Sequence, residues 1–330
     1  MIEFLSGESW ITPQIDLLLY LQNIRVAHSE LLSRLFLSLT TLGELLVPTI
    51  ICSVVYWCIN SKNGVYLFSL HSLNIFVAQC IKLLACVYRP WILSDKIHPV
   101  KEALMLAYGY SFPSGHTAQA ASVYGGLAMK YGKNLYIIFL FVLMILLVGF
   151  SRLWLGVHTP QDVVTGLVIG IILVFLMNKI IDWAENNKNI YLYLIVAFDV
   201  IALALLIYIY YFNHYPYDYV NGILIVDPRI PLRSSLIGYG LSLGTINGAF
   251  LCRRFISFEA SSGLLISKLF RALIGSFLII IYYLYVVRHV FMNNYGCPVK
   301  FLVTFILGIF ITLVYPAVIH YINKKFAAKL

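Results

Sequence analysis

The sequence predicts an all-α membrane protein built as a bundle of transmembrane helices. Hydrophobic residues make up 61% of the 330-residue chain and charged residues only 11%, and the mean hydropathy is +0.87. Soluble domains carry roughly twice that share of charged residues. Unbroken apolar runs of about 20 residues are long enough to cross a bilayer as helices, and they lack the alternation typical of a membrane β-barrel.

The distribution of charge and of cysteines argues against two other classes of protein: nucleic-acid-binding proteins, and proteins built around a metal site or disulfides. The net charge is +9, but the basic residues are scattered between apolar runs rather than clustered on a polar domain, so no nucleic-acid partner is expected. The six cysteines lie almost entirely in apolar segments without a CxxC pair, a pattern typical of small buried side chains rather than of a metal site or a disulfide framework. The N-terminus lacks the basic stretch and cleavage site of a signal peptide, so the first segment is expected to be retained.

The first 43 residues are predicted to form an interfacial helical segment. Within residues 14–25, Ile15, Leu18, Leu19 and Leu21 follow a near-helical spacing with polar residues between them, as in helices that lie on a membrane surface. Nine apolar runs follow, and each is predicted to span the bilayer. They lie at about 44–59, 63–87, 115–130, 134–153, 160–181, 190–212, 235–252, 264–287 and 299–323.

The distribution of basic residues predicts the orientation of these spans. The loops after alternate spans and the C-terminus collect most of the Lys and Arg residues, so they are predicted to be cytoplasmic. The loops at 88–114, 152–160, 213–234 and 288–298 then face the other side. These outer loops also contain basic residues, among them Arg89 and Arg152, and these outward cations call for an explanation of their own.

The first two polar clusters on the predicted outer side are a pair of cations and a helix start. Lys82 and Arg89 lie seven residues apart, so both are expected on one face of a helix that Pro90 ends. The segment 113–116, with the sequence PSGH, is expected to begin a helix, whose first backbone N–H groups attract anions. Taken singly, the cations are typical of snorkelling side chains and the second cluster of an ordinary helix cap.

The third cluster brings a histidine and a carboxylate together. Arg152 ends a predicted span, and His158 and Asp162 follow four residues apart. In a helix that spacing would place the carboxylate against the imidazole, although such pairs also arise by chance. Taken together, the clusters provide cations, a hydroxyl, free amides and two histidines. Phosphoryl transfer without a metal uses such groups to neutralise the phosphoryl oxygens, to attack phosphorus and to protonate the leaving group.

This pattern resembles the three-part motif of the type 2 phosphatidic acid phosphatase (PAP2) superfamily, in its membrane lipid phosphatase branch. The matching residues are Lys82, Arg89, Pro90, Pro113, Ser114, Gly115, His116, Ser151, Arg152, His158 and Asp162. The resemblance implies a six-helix core over about residues 15–212, followed by about three extra C-terminal transmembrane helices. The chain is therefore divided into an interfacial segment (1–43), a catalytic transmembrane core (44–212) and a transmembrane extension (213–330).

The resemblance also implies a role for each matching residue. His158 would be the nucleophile that forms a phosphohistidine, with Asp162 orienting it, and His116 would protonate the leaving oxygen. The phosphate would be held by Lys82, Arg89, Ser114, Gly115 and Arg152. No metal and no cofactor is implied.

The implied function is a metal-independent phosphatase acting on a membrane lipid at the non-cytoplasmic face. The substrate would be a phosphate monoester or pyrophosphate of the phosphatidic acid, phosphatidylglycerol phosphate or undecaprenyl pyrophosphate type. A bacterial inner membrane is the expected location, with the bilayer and a phosphorylated lipid as partners and a homo-oligomer left open. Two alternatives also stay open: a sugar phosphatase similar to glucose-6-phosphatases, which share the expected nine spans, and a membrane transporter.

Two further features have competing interpretations. Glu44, near the start of the first predicted span, is either a functional carboxylate paired with Lys82 or Arg89, or simply a hydrated group at the interface. The segment 91–106 is either a roof that sorts lipid headgroups or a solvated loop.

Overall fold

The computed structural model describes residues 8–327 except 29, 105, 106, 108, 188, 189, 221, 222, 257 and 294. The predicted all-α class is confirmed: within these residues the only strands form an antiparallel pair of two residues each, β1 (Tyr219–Val220) and β2 (Ile223–Leu224). The helices of the first half are α1 (Glu8–His28), α2 (Glu30–Thr40), α3 (Leu46–Val54), α4 (Ser61–Ala85), α5 (Pro90–Leu93), α6 (Lys101–Leu104), α7 (Gly115–Tyr131), α8 (Leu135–Trp154) and α9 (Pro160–Asn186).

The second half continues in the same way. Its helices are α10 (Ile190–Ile207), α11 (Arg229–Phe255), α12 (Leu265–Tyr282), α13 (Arg288–Met292), α14 (Cys297–Ile309) and α15 (Tyr315–Ala327). A 3₁₀ turn, Thr41–Gly43, follows α2. Single π-helical turns extend α3, α10, α12 and α14, at Val55–Ile59, Tyr208–Phe212, Tyr283–Val287 and Phe310–Val314.

The predicted count of nine spans is not reproduced. Among the described residues seven helices are long and apolar enough to cross a membrane, or eight if Glu30–Gly43 and Leu46–Ile59, bent by 50°, form one span. The run at 115–130 does form a helix, α7, but its 17 residues extend about 26 Å and do not meet this criterion. Most of α7 is buried by other parts of the protein, so a composition rich in Ala, Gly and Ser suits it better than a lipid-facing apolar surface.

The chain divides into two compact units that each combine separate segments. The first unit comprises Met1–Glu44, Asn74–Phe175 and Leu203–Ser235, and the second comprises Leu45–Leu73, Leu176–Ala202 and Leu236–Leu330. The three consecutive domains expected from the sequence stay a prediction, because these units are defined by contacts in space and not by position along the chain.

In the first unit, α7 and α9 approach each other closely at two glycines of α9. A Cβ added at Gly166 would lie 2.7 Å from the Ser114 carbonyl oxygen, and one added at Gly170 would lie 2.7 Å from the Ala118 carbonyl oxygen. Small residues allow helix backbones to approach in this way. The two glycines therefore keep the N-terminal ends of α7 and α9 side by side.

Helix α1 of the same unit packs against the segment that follows α5. Ile15 and Leu18 form a buried apolar cluster with Ile97. The Gln22 side chain donates to the Lys96 carbonyl oxygen at 2.9 Å and accepts from the His98 amide at 2.7 Å. The apolar face that predicts an interfacial helix is thus covered by protein, and α1 is not among the candidate spans.

The second unit is organised around the π-helical turn after α3. Tyr56 donates its hydroxyl to the Thr312 carbonyl oxygen at 3.0 Å, and the Trp57 indole donates to the Ile311 carbonyl oxygen at 2.8 Å. From α12, the buried Arg271 guanidinium donates to the Trp57 carbonyl oxygen at 2.8 Å. These bonds join α3, α12 and the C-terminal helices of this unit.

Candidate active site

All eight residues predicted to form the site lie in the first unit. The backbone between two of them, Lys82 and Arg89, differs from the prediction. Helix α4 ends at Ala85, and the next residue, Cys86, has a positive φ of 50°. Arg89 is extended, with φ −72° and ψ 154°, because a residue before proline avoids the helical region. Pro90 begins α5 instead of ending α4. The prediction that Lys82 and Arg89 share one helix face was therefore wrong.

Lys82 anchors the loop that precedes α7. Its buried ammonium donates to the carbonyl oxygens of Tyr110, Ser111 and Pro113 at 2.9, 2.8 and 2.7 Å. A lysine ammonium has three N–H donors, so backbone acceptors occupy all of them. In this arrangement Lys82 supports the loop and adds its positive charge to the site.

Arg89 contacts the predicted nucleophile directly. Its Nη1 lies 3.0 Å from His158 Nε2 and donates to the Val157 carbonyl oxygen at 2.9 Å, while its Nε donates to the Gly109 carbonyl oxygen at 3.1 Å. A guanidinium only donates hydrogen bonds, so His158 Nε2 must be the acceptor. This assigns a lone pair to Nε2 and the ring proton to Nδ1 of the neutral imidazole.

Asp162 accepts a hydrogen bond from that Nδ1–H and lies in the first turn of helix α9, which begins at Pro160. Its Oδ2 lies 3.1 Å from His158 Nδ1 and accepts from the Thr159 amide at 2.8 Å, while the Asp162 amide donates to Thr159 Oγ1 at 3.3 Å. This reciprocal pair is a capping box with an aspartate in the usual Glu/Gln position. His158 precedes the helix, so its contact with Asp162 is made across the capping turn and not by stacking within a helix.

A third donor to Asp162 comes from a residue that the sequence reasoning missed. Ser111 Oγ donates to Asp162 Oδ2 at 2.6 Å and lies 3.4 Å from His158 Nδ1. Ser111 is fully buried and occupies the loop that Lys82 holds. Its only signal in the sequence is its place three residues before Ser114. Thr159 was also missed, although the T-x-x-D spacing could have identified it.

Burial and nearby cations lower the pKa of His158 well below its ordinary value. Burial has the largest effect, followed by the charges of Arg89, Lys82 and Arg152 and by His116. The imidazole is therefore neutral at physiological pH, as a nucleophile must be. The same electrostatic interactions show that the three sequence clusters converge around one ring.

Helix α7 begins at Gly115, as the sequence predicts, but Ser114 does not cap it with its side chain. The Ser114 amide donates to the Asp162 carbonyl oxygen at 2.9 Å, and its hydroxyl pairs with that of Thr117 at 2.8 Å. A Cβ added at Gly115 would meet no atom within 4 Å. Space for a ligand is therefore open at the first turn of α7, where backbone N–H groups have no partner within the helix.

Arg152 and His116 complete the site together with the turn after α2. Arg152 is buried, and its Nη1 donates to Thr40 Oγ1 at 2.6 Å. His116 Nε2 lies 3.8 Å from Glu44 Oε1. Glu44 therefore faces His116 and not Lys82 or Arg89, the partners considered in one of the two interpretations of Glu44. Nothing in the sequence points to Thr40.

The segment 91–106 is held by protein on one side. Arg25 of α1 donates to the Trp154 carbonyl oxygen at 2.5 Å and to the His98 carbonyl oxygen, and the Val100 amide donates to the Leu155 carbonyl oxygen at 3.1 Å. Residues 105 and 106 lie outside the described residues. The segment is therefore fixed beside the loop that carries His158, and its role as a roof stays a prediction.

Comparisons with known proteins identify the family of the chain. The chain matches the model of the PAP2 superfamily over residues 63–186 and that of the transmembrane extension of PAP2 superfamily phosphatases over 237–325. Phosphatidylglycerophosphatase B of Bacillus subtilis is 37% identical over 29% of this chain and 50% of its own length. Undecaprenyl-diphosphatase BcrC of the same organism is 38% identical over 30% of this chain and 50% of its own length.

Two more distant similarities extend further along the chain. Lipid phosphate phosphatase delta of Arabidopsis thaliana is 23% identical over 56% of this chain and 48% of its own length. The crystal structure of Aquifex aeolicus LpxE is 26% identical, with a TM-score of 0.37 over 48% of this chain and 93% of that one. The chain spans about half the length of the curated relatives it matches. The two matching family models and the converged motif residues together show that this multi-span membrane protein belongs to the PAP2 superfamily.

Proposed function

We propose that this protein is a metal-independent phosphatase that hydrolyses a phosphate monoester or pyrophosphate of a membrane lipid through a phosphohistidine intermediate. The observation that carries the proposal is the orientation of His158. Its Nδ1 faces Asp162 and its Nε2 accepts from Arg89, so the nitrogen with the lone pair points to the residue that would bind a phosphoryl oxygen.

The first chemical step forms a P–N bond and breaks a P–O bond. His158 Nε2 attacks phosphorus, and Asp162 stabilises the positive charge that develops on the imidazole. His116 donates a proton to the leaving oxygen. The guanidinium groups of Arg89 and Arg152, the charge of Lys82, and the Ser114 hydroxyl and Gly115 amide at the start of α7 stabilise the phosphoryl oxygens.

The second step returns the enzyme to its starting state. Water attacks the phosphohistidine, His116 takes a proton from that water, and the P–N bond breaks to release phosphate. All the groups that these steps need come from the chain itself. Among the described residues no cluster of three or more His, Cys, Asp or Glu side chains is arranged to hold a metal ion.

A lipid is the substrate class best supported. The three curated relatives are named for phosphatases of phosphatidylglycerophosphate, undecaprenyl diphosphate and lipid phosphate. The sugar-phosphatase alternative drew on an expected count of nine spans, whereas the described residues hold seven or eight candidates. The transporter alternative has no specific observation in its favour.

We also propose that the site faces the non-cytoplasmic side of a bacterial inner membrane. The bias of basic residues toward the other loops supports this orientation, and two relatives come from a bacterium. A cysteine introduced at the exposed Lys96 should react with a membrane-impermeant thiol reagent in intact cells. Labelling only after cell lysis would place the site inside.

The activity is tested by phosphate release from detergent-purified protein in EDTA. The panel should contain phosphatidic acid, phosphatidylglycerol phosphate, undecaprenyl pyrophosphate and glucose 6-phosphate, with His158→Ala as the control. We expect release from at least one lipid and none from the variant. Labelling of the wild type with ³²P should survive an alkaline SDS quench and be lost on acid treatment, as a P–N bond requires. Loss of activity in EDTA, hydrolysis of the sugar phosphate alone, or labelling of His158→Ala would each contradict the proposal.

A further inference from the structure

The turn between α2 and α3 contributes to the site although it precedes the matched PAP2 range, which begins at residue 63. Thr40 accepts a hydrogen bond from Arg152, and the Tyr124 hydroxyl donates to the Leu42 carbonyl oxygen at 3.0 Å. A Cβ added at Gly43 would lie 2.6 Å from the His116 carbonyl oxygen. The turn is therefore fixed against α7 and α8, and Glu44 follows it directly.

Three polar atoms meet at this turn without a hydrogen-bond partner in the described part of the chain. They are Glu44 Oε1, His116 Nε2 and Arg152 Nε, and all three atoms are buried. Buried polar atoms without partners are rare in native structures because each of them costs free energy. Glu44 Oε1 and His116 Nε2 are 3.8 Å apart, so a movement of less than about 1 Å would join them in a hydrogen bond of ordinary length.

The charged groups around His116 come from several elements. Glu44, which follows the turn after α2, and Arg152 of α8 both interact electrostatically with it. Arg89, immediately before α5, and His158, in the loop before α9, do so as well. Glu44 is the only carboxylate among these groups. Burial and the charge of Arg152 lower the pKa of His116 to about 4, and Glu44 opposes that shift. Glu44 is therefore the group that stabilises the imidazolium form of His116 against the surrounding cations.

We propose that Glu44 is a positioning residue for the general acid. This inference rests on the proposed phosphatase function. The Glu44 carboxylate holds the Nε2–H of His116, so that Nδ1 is the nitrogen that exchanges protons with the substrate. The arrangement mirrors the one around His158, where Asp162 holds Nδ1–H and Nε2 reacts.

The proton balance follows from this assignment. In the first step imidazolium His116 gives its Nδ1 proton to the leaving oxygen as the P–O bond breaks, and the neutral ring keeps its proton on Nε2. In the second step Nδ1 takes a proton from the attacking water as the P–N bond breaks. Glu44 stays ionised throughout and sets which nitrogen of His116 is reactive.

The test uses Glu44→Gln, which preserves size and removes charge, on two kinds of substrate. With an alkyl phosphate such as phosphatidic acid the leaving group is strongly basic and needs a proton, so we expect kcat to fall about tenfold or more, within the range that a general acid contributes. With 4-nitrophenyl phosphate, whose leaving group needs no proton, kcat/KM should change by less than about threefold, because kcat/KM reports only the steps up to formation of the phosphoenzyme.

The pH profile provides a second readout. Loss of the carboxylate removes support for the imidazolium, so the alkaline limb of kcat for the alkyl substrate should move to lower pH. Glu44→Asp, which keeps the charge on a shorter side chain, should recover part of both effects. Glu30→Gln is the matched control, because Glu30 is 79% exposed and pairs with Arg34 on the surface. This variant should behave as the wild type.

The outcomes separate this inference from the proposed function. If the wild type hydrolyses neither substrate, both fail. If the wild type is active and His158→Ala is not, but Glu44→Gln loses activity equally on both substrates with an unmoved pH profile, Glu44 is merely structural and this inference alone is overturned. If Glu44→Gln does not fold, the alkyl-to-aryl rate ratio of Glu44→Asp decides, and a ratio equal to that of the wild type overturns the inference.

Discussion

The contacts of Lys82 predict that its substitution destabilises the fold before any substrate is bound. In Lys82→Met the methionine fills similar space but donates no hydrogen bond. The carbonyl oxygens of Tyr110, Ser111 and Pro113, which the ammonium bonds at 2.7 to 2.9 Å, lose their partner. The loop that carries Ser111 and leads into α7 then loses the group that anchors it.

The size of the effect follows from the number of acceptors. An unsatisfied buried acceptor costs about 1–3 kcal/mol, so three of them cost at least about 3 kcal/mol, assuming that water does not reach them. For a chain of this size each kcal/mol lowers Tm by about 2–4 °C. We therefore expect Tm to fall by at least about 6 °C in ligand-free Lys82→Met.

The assay is thermal unfolding of the detergent-purified protein, with and without vanadate as a phosphate analogue. Lys133→Met is the matched control, because Lys133 is an exposed lysine in the first unit and its replacement should leave Tm unchanged. If Lys82 were only a phosphate ligand, Lys82→Met would keep the ligand-free Tm of the wild type and lose only the stabilisation by vanadate. That result would refute the reasoning.

Three further predictions concern the nucleophile and its support. Ser111→Ala removes the 2.6 Å hydrogen bond to Asp162 Oδ2. Because a hydrogen bond to a charged group contributes about 1.5–3 kcal/mol, kcat should fall at least about tenfold. The control Ser38→Ala, at an exposed serine, should have no effect. Gly166→Ala would place a Cβ 2.7 Å from the Ser114 carbonyl oxygen. Steady-state assays should therefore show a loss of activity, and thermal unfolding should show a loss of about 1–3 kcal/mol of stability. Gly125→Ala, whose Cβ would meet the Val174 side chain at 3.3 Å, should have a smaller effect on both. Because burial and nearby cations lower the pKa of His158, its neutral form persists to lower pH, and the acid limb of kcat/KM between pH 4 and 9 should lie below about 6.5. An acid limb above that value would contradict the assignment of His158 as the buried nucleophile.

The residues of the site were readable from the sequence because their chemistry is local to short motifs. The helix start at 115, the His158–Asp162 contact and the convergence of Arg89 and Arg152 were all expected. The backbone conformations and hydrogen bonds that position these residues were harder to predict from the sequence. The end of α4 at Ala85 depends on the left-handed backbone at Cys86. That conformation favours glycine, so a cysteine in the sequence does not predict it.

Other features required the tertiary structure. Glu44 meets His116 because Gly43 lets a turn approach α7, and that approach brings together residues 72 positions apart in the chain. Helix α7 was predicted to be a span from its length and apolar content. The structure shows that its apolar residues are covered by neighbouring helices of the protein, so they do not indicate contact with lipid. The capping box at Thr159 and Asp162, in contrast, was present in the sequence as T-x-x-D and had only to be recognised.

The hydrogen bond between Arg89 and His158 has a consequence for how the resting protein meets reactive molecules. The Nε2 lone pair accepts a hydrogen bond from Arg89 Nη1, so it is not available to react with an uncharged electrophile that modifies neutral histidines, such as diethyl pyrocarbonate. A phosphoryl group differs because its oxygens give the guanidinium a better acceptor and thereby release Nε2. The ligand itself thus uncovers the nucleophile, which keeps the ring unreactive toward uncharged electrophiles until an anion arrives.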